Sequence, residues 1–200
     1  MTLQIGSRTR FLLAASFLGT GAESMLVPIY APLANRAGGS LVDAGIGLAI
    51  FSITTGIFVA TVGFTKWFSR NIQKLLVIGF LLAGLADLGY ILVKTRLELF
   101  LVQCVVGLAL GILNPAWDSI YSVTGEDPTR KWAIWSGGVN LVTGLSALAG
   151  TYLVSHHSFN VVFAAMFALD MTAVFCSWIA VKATTSGLAL SPNRAAAFPT

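Results

Sequence analysis

The sequence predicts an all-α membrane protein of six transmembrane helices, and three observations predict it. Hydrophobic residues make up 56% of the 200-residue chain, charged residues only 10%, and the mean hydropathy is +0.82. A soluble domain carries about 25% charged residues, so there is too little polar surface here to cover a water-soluble globule. That excludes a cytosolic enzyme, a nucleic-acid-binding domain and a disordered chain. Second, apolar runs long enough to cross a bilayer alternate with short polar connections. Third, Lys and Arg collect in alternate connections. A span takes roughly 20 residues, so six or so fill the chain and leave no room for a soluble catalytic domain.

The spans are expected at 11–30, 41–64, 75–93, 97–123, 132–155 and 159–181. None shows the ten-residue alternation of a membrane barrel strand, and a helix satisfies its own backbone in lipid. Residues 1–10 precede the helices as a short N-terminal segment, 11–182 form the transmembrane domain, and 183–200 read as a small, polar, disordered tail. The Asn35-Arg-Ala-Gly-Gly39 stretch has turn composition. Lys94-Thr95-Arg96 makes a tight hairpin of spans three and four. Thr124 to Lys131 is a polar loop with an Asp-Pro break, and His156-His157-Ser158 joins the last two spans.

Topology follows from the basic residues. With the N-terminus inside, the inner segments hold Arg8, Arg10, Lys66, Arg70, Lys74, Arg130, Lys131, Lys182 and Arg194, nine in all. The outer ones hold three: Arg36, Lys94 and Arg96. The positive-inside rule then puts both termini in the cytoplasm, and a plasma (inner) membrane is expected. The net charge of +4 is thus a topology signal, with no nucleic-acid partner expected. Arg8, Arg10 and the small residues Thr20-Gly-Ala22 also fit a cleaved leader. Against that, apolar character resumes after Glu23, and cleavage would leave five spans.

Spans one to three and four to six look like two copies. Gly19 and Gly21 precede Pro28 as Gly107 and Gly111 precede Pro115. Asp87 follows Lys74 by thirteen residues, as Asp170 follows His157. A three-span unit reverses direction, so the copies form a 3+3 inverted repeat, a signature of secondary transporters.

Three stretches resemble one six-helix half of a major facilitator superfamily transporter. The connection Gly63-Phe-Thr-Lys-Trp-Phe-Ser-Arg-Asn-Ile-Gln-Lys74 has the Gly start and clustered basics of that family's gating loop in Gly63, Arg70 and Lys74; its acid position holds Trp67. Span four, Gly107-Leu-Ala-Leu-Gly111-Ile-Leu-Asn-Pro115-Ala-Trp-Asp118, is similar to the family's Gly-rich fourth helix. Span five carries Trp135, Gly137, Gly138, Gly144 and Gly150 like a closely packed fifth helix. The family normally joins two such halves in one chain. The resemblance therefore implies a homodimer, a separate second six-helix half, or a fragment of a longer transporter.

Glu23, Asp87 and Asp170 fall well inside spans, with no Lys or Arg at matching depth. An ionised group there costs roughly 2.5–3.5 kcal/mol or more, so each must face a cavity or be protonated. Glu23 is the leading proton-coupling or substrate-contacting group, because span one lines the central cavity in the resembled family. The bland alternative is a protonated Glu bonded to a neighbouring helix. Asp87 and Asp170 lie on helices that are peripheral in that family, so interhelical hydrogen bonding is expected of them. Asn114 and Asp118 are four apart and share a helix face; with Gln103 and, in span five, Asn140, they are candidate cavity polars. Pro28 and Pro115 are expected to kink their helices, and Gly107, Gly111, Gly137 and Gly138 to let helices pack closely.

Cys104 and Cys176 lie alone in apolar runs, and the paired His156 and His157 make a poor metal site, so no metal and no cofactor is expected. No hydrolase, metalloprotease or phosphate-cradling motif is present, and the chain is not expected to be an enzyme. The expected function is secondary transport of a small solute by alternating access, in the lipid bilayer. A non-transporting six-helix scaffold or assembly subunit is the alternative.

Overall fold

The first span does not stop at its proline. In the computed structural model, which describes residues 6–62, 64–124 and 127–189, with 184–189 as backbone only, span one is helix Ser7–Leu26, a 3-10 turn Val27–Ile29 and a second helix Tyr30–Arg36. Pro28 lies in the first turn of the 3-10 segment. Its missing N–H breaks the α ladder there, and the tighter turn absorbs the break. Span two is Leu41–Val62, span three Lys66–Leu92, span four Arg96–Ser122, span five Pro128–His156 and span six Phe159–Ala189. Six helices are long and apolar enough to cross a membrane, and the described residues include no strand. Six crossings put the two ends of the bundle on one face, called proximal below; the opposite face is distal.

Several boundaries differ from expectation: helix begins at Ser7 within the expected N-terminal segment, and span five begins at Pro128 within the expected polar loop. The basic stretch after span two is helical from Lys66, so Arg70 and Lys74 stand exposed on the opening turns of span three and not in a loop. Gly63 lies outside the described residues. Span six continues past Lys182 to Ala189, so the tail expected from 183 is helical for its first seven residues. Extending a formed helix costs no new nucleus, which is why polar Thr and Ser do not end it at once.

Helix starts are capped locally. Ser40 and Asp43 bond reciprocally before span two, with the Ser40 N–H donating to Asp43 Oδ2 at 2.8 Å. Thr95 and Glu98 make the same capping box before span four, a motif that satisfies otherwise orphaned N–H groups. Asp127 accepts from the Arg130 N–H ahead of Pro128, the first residue of span five. The turn between spans one and two places Gly38 at φ +75°, where a side chain would be strained.

Packing follows the repeat. Span one packs on spans five and six, span three on spans four and six, and span four on span two. Exchanging spans one, two and three with four, five and six maps this pattern onto itself, with spans three and six meeting at the two-fold axis. Small residues make the close crossings. Gly107 takes the Phe51 carbonyl and Thr54 of span two, and Gly111 takes Phe58. At the related crossing, Gly138 of span five receives the Phe17 ring of span one. Gly137 corrects the expectation of a packing role: nothing lies within 4 Å of a Cβ placed there. One helical step of about 100° separates it from Gly138, enough to turn it to the open face. Span two buries only Ala44 and Gly47, and span five only Lys131 and Gly150. These two helices flank the bundle.

Candidate functional site: two cavities about Glu23

Span one places Ser16, Thr20, Glu23, Val27 and Tyr30 along one side of the bundle, at three- or four-residue steps. Fourteen residues separate Ser16 from Tyr30, about 21 Å of helix rise. Two cavities open along this stripe, and Glu23 lines both.

The distal cavity, about 190 Å³, is lined by Glu23 and Tyr30 of span one, Asp87 and Tyr90 of span three, and Gln103 of span four. The rest of its wall is apolar, including Leu48, Phe51 and Met166. Tyr90 is held by stacking on Phe163, centroids 5.3 Å apart. Tyr30 reaches span two because Gly47 has no side chain to block its hydroxyl.

The proximal cavity, about 270 Å³, is lined by Ser16, Thr20 and Glu23, and by Asn114, Trp117 and Asp118 of span four, with Phe80 and Trp135. Its wall is an aromatic cluster joining spans one, four and five. Trp117 stacks on Tyr121 at 4.4 Å and on Trp135 at 5.2 Å, and Trp132 meets all three rings edge-on. The cluster is tied to span one by two indole N–H bonds, Trp117 Nε1 to the Leu12 carbonyl at 3.1 Å and Trp135 Nε1 to Ser16 Oγ at 2.9 Å. Behind it, Lys131 is buried and its ammonium donates to the carbonyls of Tyr121, Ser122 and Thr124.

At the two-fold axis, Asp87 and Asp170 meet carboxyl to carboxyl. Two ionised carboxylates would repel at this range, so the contact needs a proton between them. Asp87 Oδ2 is left without a hydrogen-bond partner. Gly19 and Gly84 make the room: a Cβ on Gly19 would stand 3.6 Å from Asp170 Oδ1, and one on Gly84 would stand 3.1 Å from Asp170 Cβ. Three acids from spans one, three and six thus gather at the centre of the bundle.

A six-helix bundle with inverted-repeat packing and two cavities that share an acidic side chain fits the architecture of a secondary-transporter half. The family model of the Major Facilitator Superfamily matches residues 12–197. The chain belongs to the major facilitator superfamily. It is therefore an integral membrane protein of a transporter superfamily, and its six spans correspond to one half of a superfamily transporter. A comparison with individually curated proteins finds no match.

Within this superfamily half, the expected site residues separate. Glu23, Asn114 and Asp118 come together around the proximal cavity, while Gln103 lies in the distal one with Leu110 and Leu113 between. Asn140 joins neither cavity. It stands exposed on span five, its amide donating to the Ser136 carbonyl at 2.8 Å. Three residues on, Thr143 accepts a hydrogen bond from the Ser24 hydroxyl of span one at 3.3 Å. Pro115 sits inside an unbroken span-four helix. Tyr30, Tyr90 and Met166 were not singled out by the sequence, because a lone Tyr or Met in an apolar span looks like core.

Proposed function

We propose that this chain is one six-helix unit of a secondary transporter that moves a small solute by alternating access. The observation that carries this reading is that Glu23 is shared by a distal and a proximal cavity. A carboxyl there can exchange protons or ligand contacts with one side of the membrane and then the other. Asn114 and Asp118 supply polar contacts on the proximal side. A second six-helix unit, a second copy or a separate half, faces the open sides of spans two and five, where Gly45, Gly56, Gly137 and Gly144 have free space. Arg70 and Lys74, exposed on the opening turns of span three, would act as gating charges on the proximal side. The distribution of basic residues supports cytoplasmic termini, and the membrane proposed is the plasma (inner) membrane.

Single cysteines at Val27 and Thr20, in a background lacking Cys104 and Cys176, test this without knowing the substrate. Each is labelled in oriented vesicles by a membrane-impermeant thiol reagent. Alternating access predicts that Val27→Cys reacts from the distal side and Thr20→Cys from the proximal side. Conditions that raise one reactivity lower the other, and Glu23→Gln shifts the balance. Simultaneous high reactivity at both positions, or two fixed reactivities that Glu23→Gln leaves alone, would overturn the reading.

A further inference from the structure

We propose that the distal cavity binds a small organic cation, an ammonium group on an apolar body, held between Glu23 and Asp87. The inference deepens the transport reading by naming its substrate class, and it rests on taking Glu23 as a substrate-contacting group.

The wall of the cavity selects the charge. Its polar atoms are two carboxyls, two phenol hydroxyls and the Gln103 amide, and no Lys, Arg or His lines it. An anion would find no cationic partner. The electrostatics of a proton-only site would not need the cavity volume or the unused acceptors that follow. Asp87 is 4% exposed, and its Oδ2 has no hydrogen-bond partner; the Tyr90 hydroxyl, 2% exposed, has none either. The Tyr30 hydroxyl lies beside Gln103 without a well-formed bond. Buried polar atoms are nearly always paired, and here the three unpaired ones belong to residues that line one cavity. A neutral apolar occupant would leave them all unsatisfied. An ammonium donates to several acceptors at once.

The rest of the wall selects the body. Tyr30, Phe51 and Tyr90 present ring surfaces of the kind that attract organic cations, and Leu48, Leu110 and Met166 are apolar. About 190 Å³ is smaller than the 300–1,000 Å³ or so of drug-sized pockets, so the cavity suits a small amine. A hard metal ion wants a shell of about six to eight oxygens, and no group of residues suited to a metal occurs among the described residues.

The cation also competes with protons. The groups facing Asp87 are Glu23 and Tyr30 from span one, Tyr90 on its own helix, Asp170 from span six and Gln103 from span four; span two contributes only Leu48 and Phe51. All the titratable ones are acids. Binding an ammonium therefore favours loss of a proton from the carboxyl cluster, and acidification weakens binding, by at most about tenfold per pH unit for one-proton competition.

The test is equilibrium binding of radiolabelled benzylammonium to the full chain in lipid nanodiscs, with benzyl alcohol and benzoate as uncharged and anionic competitors of nearly the same shape. Benzylammonium should bind and be displaced by unlabelled benzylammonium and by acid, while the alcohol and benzoate compete poorly. Asp87→Asn and Glu23→Gln should each weaken binding about tenfold or more, and Tyr90→Phe less. The charge series uses unaltered protein, so it stands even where a variant fails to fold. Equal competition by benzyl alcohol, competition by benzoate, no saturable binding, or unchanged affinity in a folded Asp87→Asn variant would each overturn the proposal. Cysteine accessibility reads the transport cycle without ligand. Switching access with no cation selectivity would sink the substrate class alone, and selective binding with fixed access would sink the transport reading alone.

Discussion

Lys131 carries the sharpest structural prediction. It is a basic residue at the proximal end of span five, yet it is only 4% exposed. Its ammonium reaches the carbonyl oxygens of Tyr121 at 3.0 Å, Ser122 at 2.7 Å and Thr124 at 3.1 Å, and sits 5.4 Å from the Tyr121 ring centroid. Carbonyls at the end of a helix have no intrahelical donor, and the charge lies at the negative end of the span-four dipole. Lys131→Met keeps the apolar stem and removes the charge. The Tyr121 carbonyl keeps the Thr124 N–H at 3.1 Å and the Thr124 hydroxyl at 2.8 Å. The Ser122 and Thr124 carbonyls lose their donor at about 1 kcal/mol each, and the lost helix-end charge costs roughly 0.3–1 kcal/mol. Some of this is recovered by water, which leaves a loss of about 2 kcal/mol. At roughly 2–4 °C per kcal/mol for a chain of this length, melting in detergent should fall by roughly 4–8 °C. The Tyr121 hydroxyl bond to the Lys131 carbonyl, 2.7 Å, involves backbone and survives the change. An unaltered melting temperature for Lys131→Met would refute the claim that this ammonium ties span four to span five.

Two further contrasts follow from the glycines and the caps. A Cβ on Gly107 would stand 2.7 Å from the Phe51 carbonyl and 2.8 Å from Thr54 Cβ, so Gly107→Ala should destabilise by about 1–3 kcal/mol through overpacking, while Gly137→Ala should be neutral or stabilise by up to about 1 kcal/mol; detergent melting curves compare them directly. Thr95→Ala removes the capping box at the start of span four and should cost about 1 kcal/mol, seen as faster amide exchange confined to the first turn of that helix.

The number and order of the spans were legible in the sequence because each apolar run is as long as a bilayer is thick. Glu23 was legible for a related reason: an acid in such a run is too costly to be incidental. What the sequence could not carry was azimuth. Asp87 and Asp170 match in repeat position, but only the packing of spans three and six on the two-fold axis brings their carboxyls together. Gly137 and Gly138 are neighbours in sequence, yet one is packed and the other open. Asn140 sits at a suitable depth and turns away from both cavities. Lys131 counted as a topology charge, and nothing in its neighbours signals that it folds back under the aromatic cluster. Tyr30 and Tyr90 became visible only through the cavity they share.

Alternating access through this bundle requires Glu23 to communicate with both sides of the membrane. Infrared difference spectroscopy of oriented proteoliposomes reads this by following the protonated-carboxyl band that is lost in Glu23→Gln. This band should respond to a pH jump applied on the distal side and, separately, to one applied on the proximal side. A Glu23 band that answers to one side only, or to neither, would contradict this requirement.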